Sequence, residues 1–246
     1  MEDGTLDPAI RHLRRATELE PGYAYAHVNL ASALESDGRT EDAETHYRHA
    51  VQRVPDYAQA HFGLANVLKD RGRLDDAESH LRRAIEIDPS FVPAHFNLAN
   101  LLGARGRVNE AISRYRAALE ISPDFAPAHI NLGIALESLG RAQEAITHYR
   151  AAISADTASP LGYYYLGGAF HAMGRFQEAA AQYRRTVELQ PDHAEAHYAL
   201  GNVLYGAGRA AEALEHLHAA ARLAPRTPEP RLAIAWALAT HPDPQI

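Results

Sequence analysis

Residues 58–91 read AQAHFGLANVLKDRGRLDDAESHLRRAIEIDPSF, and residues 92–125 read VPAHFNLANLLGARGRVNEAISRYRAALEISPDF. Superposed, the two stretches share His61/His95, Phe62/Phe96, Leu64/Leu98, Asn66/Asn100, Gly72/Gly106, Ala77/Ala111 and Pro89/Pro123. The same 34-residue register extends outward in both directions. Pro21, Pro55, Pro89 and Pro123 are followed, after a skipped beat, by Pro191 and Pro225. One column holds Ala43, Ala77, Ala111, Ala145, Ala179 and Ala213, another Leu30, Leu64, Leu98, Leu132, Leu166 and Leu200. Self-similarity at a fixed period of about 20–50 residues is the signature of stacked units, each too small to bury its apolar face without a neighbour.

Inside 58–91, Phe62, Leu64, Ala65 and Leu68 fall on one side of a first helix, and Ala77, Leu81, Ala84 and Ile85 on one side of a second. That spacing predicts a helical hairpin. Gly38, Gly72, Gly106, Gly140, Gly174 and Gly208 mark the turn between the helices, where a residue free to take positive φ closes the first. Acids such as Asp75, Asp76, Glu110 and Glu144 open the second helix at the positive end of its dipole. The periodic proline stops it. Small residues in the alanine columns let neighbouring helices approach closely.

With position 1 set three residues before the His of each "AH" dipeptide, the columns read His/Tyr at 4, Leu at 7, Ala/Gly at 8, Leu/Phe at 11, Gly at 15, Ala at 20, Tyr/Leu at 24 and Pro at 32. This resembles the tetratricopeptide repeat (TPR) pattern, with His where Trp is commonest. The resemblance implies an all-α, right-handed superhelical solenoid of antiparallel helix pairs. It also implies a non-catalytic scaffold whose concave groove, lined by the first helices, binds protein or extended peptide. Carried over by column, the groove residues are Asn29, Asn97 and Asn131 at position 6, and Asn66, Asn100, Ile134 and Asn202 at position 9. Phe62, Phe96, Tyr164 and Tyr198 stand at position 5, with Tyr165 and Tyr205 beside them. An amide both donates and accepts, so such a column can hold a peptide backbone whatever its side chains. The asparagine column resembles that of the TPR half of O-GlcNAc transferases, which gives a second reading: the substrate-recruiting segment of a larger enzyme such as a glycosyltransferase. The basic clamp of chaperone-binding TPRs is absent, since positions 5 and 6 carry no base in any complete repeat.

Residues 1–246 read as a single array: an N-terminal half-repeat at 4–23, full repeats at 24–57, 58–91, 92–125, 126–159, 160–193 and 194–227, and a C-terminal half-repeat at 228–246. Solenoids normally end in polar caps. Leu232, Ile234, Trp236 and Leu238 instead look like a face awaiting another helix, so the chain is expected either to be a piece of a longer protein or to self-associate through residues 228–240. Repeat five departs from the pattern. Thr157 precedes it in place of proline, and Tyr163, Tyr164 and Tyr165 replace the His-hydrophobe-Asn run, either as a binding cluster or as filler for the gap left by Gly167 and Gly168.

The 246 residues include no cysteine, so thiolate chemistry and disulfides are excluded. No stretch approaches 18 uninterrupted apolar residues, and MEDGTLDP is acidic where a secretory leader is basic. A cytoplasmic protein with no membrane partner is expected. The formal net charge of -7 without a charged block favours no nucleic-acid partner. Lys69 is the only lysine, which we read as codon bias of a GC-rich bacterial genome. Ten of the 15 histidines obey the register: His27, His61, His95, His129 and His197 at position 4, and His12, His46, His80, His148 and His216 at position 23. Equivalent imidazoles of adjacent repeats are separated by about the 8–10 Å of helix packing, too far to share one zinc. No metal site and no cofactor are expected, and position-4 rings should pack between helices with a nitrogen on backbone or water. Arg39, Arg73, Arg107, Arg141, Arg175 and Arg209 follow the turn glycines and read as partners of the preceding helix's carbonyl end and of nearby acids. No nucleophile, general base or phosphate loop can be assembled, so the chain is not expected to be an enzyme.

Overall fold

In the computed structural model, which describes residues 6–240, these periodicities become α-helices throughout. They are α1 (Leu6–Leu19), α2 (Ala24–Ser36), α3 (Thr40–Arg53), α4 (Ala58–Asp70), α5 (Leu74–Ile87), α6 (Val92–Ala104), α7 (Val108–Ile121), α8 (Ala126–Glu137), α9 (Ala142–Ala155), α10 (Pro160–Ala172), α11 (Phe176–Leu189), α12 (Ala194–Gly206), α13 (Ala210–Leu223) and α14 (Glu229–Thr240). The chain divides after Pro123 into two units, α1–α7 and α8–α14. Within each unit, a first helix packs on its second, and the second on the first helix of the next pair. Gly4, the expected turn of the N-terminal half-repeat, lies outside the described residues.

The hairpin turn is built the same way every time. Gly38 takes φ 77°, and the other five turn glycines lie between 73° and 78°. Gly38 N–H donates to Glu35 O (3.0 Å) and Arg39 N–H to Leu34 O (2.8 Å), the paired bonds of a Schellman motif. A Cβ at Gly38 would meet nothing within 4 Å. Backbone conformation rather than space therefore demands glycine here, at a cost of about 1–2 kcal/mol for another L-residue.

The arginine after each glycine is the residue preceding the second helix, and its side chain turns forward rather than back. Arg107 Nε reaches Glu110 Oε1 at 2.7 Å, Arg141 reaches Glu144 at 2.7 Å, and the same i, i+3 pair recurs from Arg39–Asp42 to Arg209–Glu212. The carbonyl end of the preceding helix is satisfied by backbone N–H groups instead.

The core is the leucine and alanine columns. Leu30, Leu98, Leu132 and Leu200 have no exposed surface, nor have Ala43, Ala77, Ala111 and Ala145. Each buried leucine contributes about 1.5–3 kcal/mol. Tyrosines at position 24 interlock with this frame: a Cβ on Gly133 would strike the Tyr149 ring, and one on Gly63 the Tyr47 ring. Gly63 thus interrupts the asparagine column because the ring of the preceding repeat occupies that space.

Candidate functional site

On the first helices of the first unit, Asn29 is exposed and Phe62, Asn66, Phe96, Asn97 and Asn100 are half-buried. Asn97 Nδ2 donates to Asn66 Oδ1 at 2.8 Å, joining α6 to α4. The pair leaves Asn66 Nδ2 and Asn97 Oδ1 as one donor and one acceptor, the complement of a peptide group. Phe62 meets Phe91 edge-on at 5.2 Å, and Phe96 is tilted against Tyr115 at 6.0 Å. Tyr115 Oη donates to Asn100 Oδ1 at 2.6 Å.

That last bond belongs to a set the sequence reading overlooked. Buried tyrosines at position 24 of the second helices reach through to polar residues of their own first helices: Tyr47 to Glu35 (3.1 Å), Tyr115 to Asn100 and Tyr149 to Glu137 (2.6 Å). Burial first, then the neighbouring Glu35 charge, pushes the Tyr47 hydroxyl well above its ordinary range, while burial raises the carboxyl of Glu35. The column of Tyr or Leu at position 24 was the available signal.

In the second unit, Asn131 is half-buried and Ile134 exposed on α8. Tyr164 touches Tyr165 (5.4 Å), Tyr183 (5.9 Å) and His193 (4.9 Å), and Tyr165 stacks on Tyr149 (5.8 Å, 19°). The space beside Gly167 is taken by Tyr183, whose ring lies 2.8 Å from where a Cβ would sit; Tyr164 and Tyr165 are not its filler. Burial, with Tyr164 alongside, pushes the Tyr183 hydroxyl up to about 12. Tyr198 and Tyr205 are half-buried and Asn202 is exposed on α12. Tyr205 packs edge-on against Trp236 at 5.0 Å, with its hydroxyl 2.7 Å from Thr240 Oγ1.

The histidines form pairs within a repeat. Nδ1 meets Nδ1 in His27–His46 (2.9 Å), His61–His80 (2.8 Å), His129–His148 (3.0 Å) and His197–His216 (3.0 Å). Equivalent imidazoles of adjacent repeats stay apart as expected from helix packing, but positions 4 and 23 of one repeat, 19 residues apart, meet. The position-4 ring also donates from Nε2 to the periodic proline, as His27 does to Pro21 O (3.1 Å), His61 to Pro55 O (3.0 Å) and His197 to Pro191 O (3.1 Å). Its Nδ1 is then an acceptor in the neutral state, so the position-23 ring must donate. A second proton would set two N–H groups against each other. Burial, then the partner ring, lowers the pKa of His46, His80 and His216, and burial lowers His27 and His61. Repeat three has Arg114 at position 23, and there the buried His95 Nδ1 is without a partner. In repeat five Tyr163 replaces the histidine and Thr157 the proline, and Tyr163 Oη reaches Thr157 O at 3.4 Å. Those two departures compensate each other. Among the described residues no group of three or more His, Asp or Glu side chains is placed to hold a metal ion.

Family models of the tetratricopeptide repeat match residues 22–90, 68–114, 96–160, 167–208 and 194–227. Similar solved structures include PilF of Pseudomonas aeruginosa, 19% identical over 87% of this chain and 97% of that one, with a TM-score of 0.77. YrrB, a TPR protein with an unusual peptide-binding site, is 22% identical over 76% of this chain and 96% of its own, with a TM-score of 0.63. The Cut9–Hcn1 hetero-tetramer of the APC/C matches 96% of this chain and 47% of its own at 16% identity, with a TM-score of 0.73. No curated protein matches. At these identities the likeness concerns the fold.

Proposed function

Because the chain belongs to the tetratricopeptide repeat family, we propose that it is a non-catalytic scaffold holding an extended segment of a partner protein along its first helices. The repeat is a general protein- and peptide-binding unit, and YrrB carries a peptide-binding site. The observation that carries the reading here is the Asn97–Asn66 bridge at 2.8 Å, which fixes two amides with a donor and an acceptor left over beside Phe62 and Phe96. Pre-oriented amides lose little freedom when a backbone docks on them. Tyr164, Tyr165, Tyr198, Asn202 and Tyr205 supply the corresponding contacts in the second unit, with Asn131 and Ile134 on α8. Asn29 extends the first unit's face. The cytoplasm is the proposed setting; among the described residues no helix is long and apolar enough to cross a membrane.

The test is a peptide array probed with the purified chain. Asn66→Ala with Asn97→Ala should weaken each binder roughly tenfold, since every net hydrogen bond is worth about 0.5–1.5 kcal/mol. Tyr164→Ala with Tyr198→Ala should cost about 2–4 kcal/mol if the rings are hot spots. An array without a single saturable binder, or binders indifferent to both double variants, ends the reading. A second reading rests on α14, where Leu232 (66%), Trp236 (60%) and Leu238 (48%) are exposed: self-association through residues 228–240. Light scattering that stays monomeric at high concentration, unchanged by Trp236→Ser, removes it.

A further inference from the structure

The last residue of each repeat, just before the next first helix, is aromatic in most of them: Tyr57, Phe91, Phe125 and His193. At Tyr57, Phe91 and His193 the ring covers an aromatic residue of the preceding first helix. Tyr57 lies 4.7 Å from Tyr25, Phe91 lies 5.2 Å from Phe62 at 68°, and His193 lies 4.9 Å from Tyr164. Repeat four has Ser159 there, but opposite it stands the buried Ile130 rather than a ring. Repeat six alone keeps the ring, Tyr198, and loses its cover, because Thr227 takes the place. A cleft of about 160 Å³ results, lined by Ala194, Tyr198, Ala224, Thr227 and Pro230 with Glu195 and Glu229 at its rim.

A second departure falls on the same cleft. Glu195 and Glu229 both stand at position 2, which is uncharged in repeats one to five (Tyr25, Gln59, Pro93, Pro127 and Leu161). Glu195 has 72% of its side chain exposed and lies 3.2 Å from His193 Nδ1, but that nitrogen accepts the Ala196 N–H (3.3 Å) and so carries no proton for the carboxylate. The rim therefore keeps two negative charges around an aromatic wall.

We propose that this cleft is a side-chain pocket for an aromatic residue adjoining a lysine or arginine in a partner's extended segment. The ring would take the place of the missing position-34 aromatic, edge-on to Tyr198 as Phe91 is to Phe62. An apolar cavity of about 150 Å³ holds one benzene, so the volume suits one six-membered ring. The adjoining cation would lie between Glu195 and Glu229, and the two carboxylates disfavour an acidic neighbour. The partner's identity rests on the protein-binding reading above, whereas the pocket itself is testable without it.

The probe is 2-phenylethylammonium, titrated into the whole chain at low ionic strength and followed by methyl NMR. Saturable shifts are expected at Ala194, Ala224 and Thr227, with 2-phenylethanol binding at least threefold more weakly. Thr227→Phe restores the aromatic that repeats one, two, three and five carry and should weaken the probe at least tenfold while leaving helicity and melting unchanged. Glu195→Gln with Glu229→Gln should bring the amine and the alcohol to equal affinity. Tyr198→Leu, which keeps an apolar wall, supplies a check if the first variant folds poorly. Absence of saturable shifts, binding that survives Thr227→Phe, or an alcohol as tight as the amine would each overturn the assignment. Shifts of the same methyls on dilution of the chain alone would overturn it too, by putting a second copy in the cleft. Probe binding with a silent peptide array would leave the pocket standing and remove only the scaffold reading.

Discussion

The joints between repeats are made differently in the two units. In the first, position 21 is a carboxylate on α3 and α5: Glu44, with only 2% of its side chain exposed, meets Arg48 of its own helix and Arg71 and Arg73 of the next repeat (Arg73 at 3.0 Å). Glu78 repeats the arrangement with Arg82 (2.8 Å), Arg105 (3.0 Å) and Arg107 (2.8 Å). In the second unit the same register position is Ile146, Ala180 and Leu214, and the position of Arg71 and Arg105 becomes Met173 and Ala207. There Ile146 is fully buried, and Phe170 lies beneath Arg175 at 4.4 Å. Glutamate travels with arginine, and isoleucine or alanine with an apolar partner. One backbone frame thus accepts either an ionic hub or an apolar plug, because a buried carboxylate is tolerable only when its partners come with it.

The largest expected effect is on the apolar side. Ile146→Ala should destabilise by about 2–5 kcal/mol, the usual range for a buried isoleucine, with amide protection lost first in α9 and α10. Glu44→Ala removes hydrogen bonds but leaves arginines whose side chains are 39–46% exposed and can rehydrate. We expect about 1–3 kcal/mol from it, below the full cost of stranding a buried charge. If denaturant unfolding shows Glu44→Ala to be the costlier change, the ionic joint is the stronger and the comparison inverts. Glu44→Ile combined with Arg71→Met transplants the second unit's joint into the first. It should fall within about 1 kcal/mol of the parent, as replacements of buried ion pairs by apolar residues often do.

Acid should separate the contributions next. Imidazoles held below their ordinary 6.5, as His27, His46, His61, His80 and His216 are, bind more protons unfolded than folded. Stability is then complete above pH 6.5 and declines as the pH falls below it. Burial opposes ionisation of Glu78, yet hydrogen bonds from Arg82 and Arg107 hold it below 4.5, so its contribution is lost only at lower pH. The first decline should be blunted by His27→Tyr with His46→Gln, the pair repeat five already uses at Tyr163 and Gln182. A melting temperature flat from pH 7.5 to 5.5 would contradict the paired tautomers. The smallest effect is that of salt: surface pairs such as Arg71–Glu41 (4.0 Å), which ties the end of α4 to α3, contribute about 0–1 kcal/mol each and are screened. One molar sodium chloride should therefore loosen α3–α4 slightly and α9–α10 hardly at all.

Helix type, hairpin turns and core columns were legible in the sequence because each is set by local periodicity: one glycine at φ 73–78° per turn and leucine and alanine on one face fix a hairpin whatever surrounds it. The proline and position-4 histidine were legible as columns but not as partners. The tertiary structure alone decided which side chains meet across helices. His27 with His46, Tyr115 with Asn100, Asn97 with Asn66 and Glu44 with Arg71 are 15 to 31 residues apart. Their meeting depends on the angle at which one helix crosses the next, which no column of one residue type encodes. The cleft at Thr227 is of the same kind. A threonine in a loop is unremarkable in sequence, and it opens a cavity only because the neighbouring backbone is held where, in repeats one, two and five, a ring covers the preceding first helix.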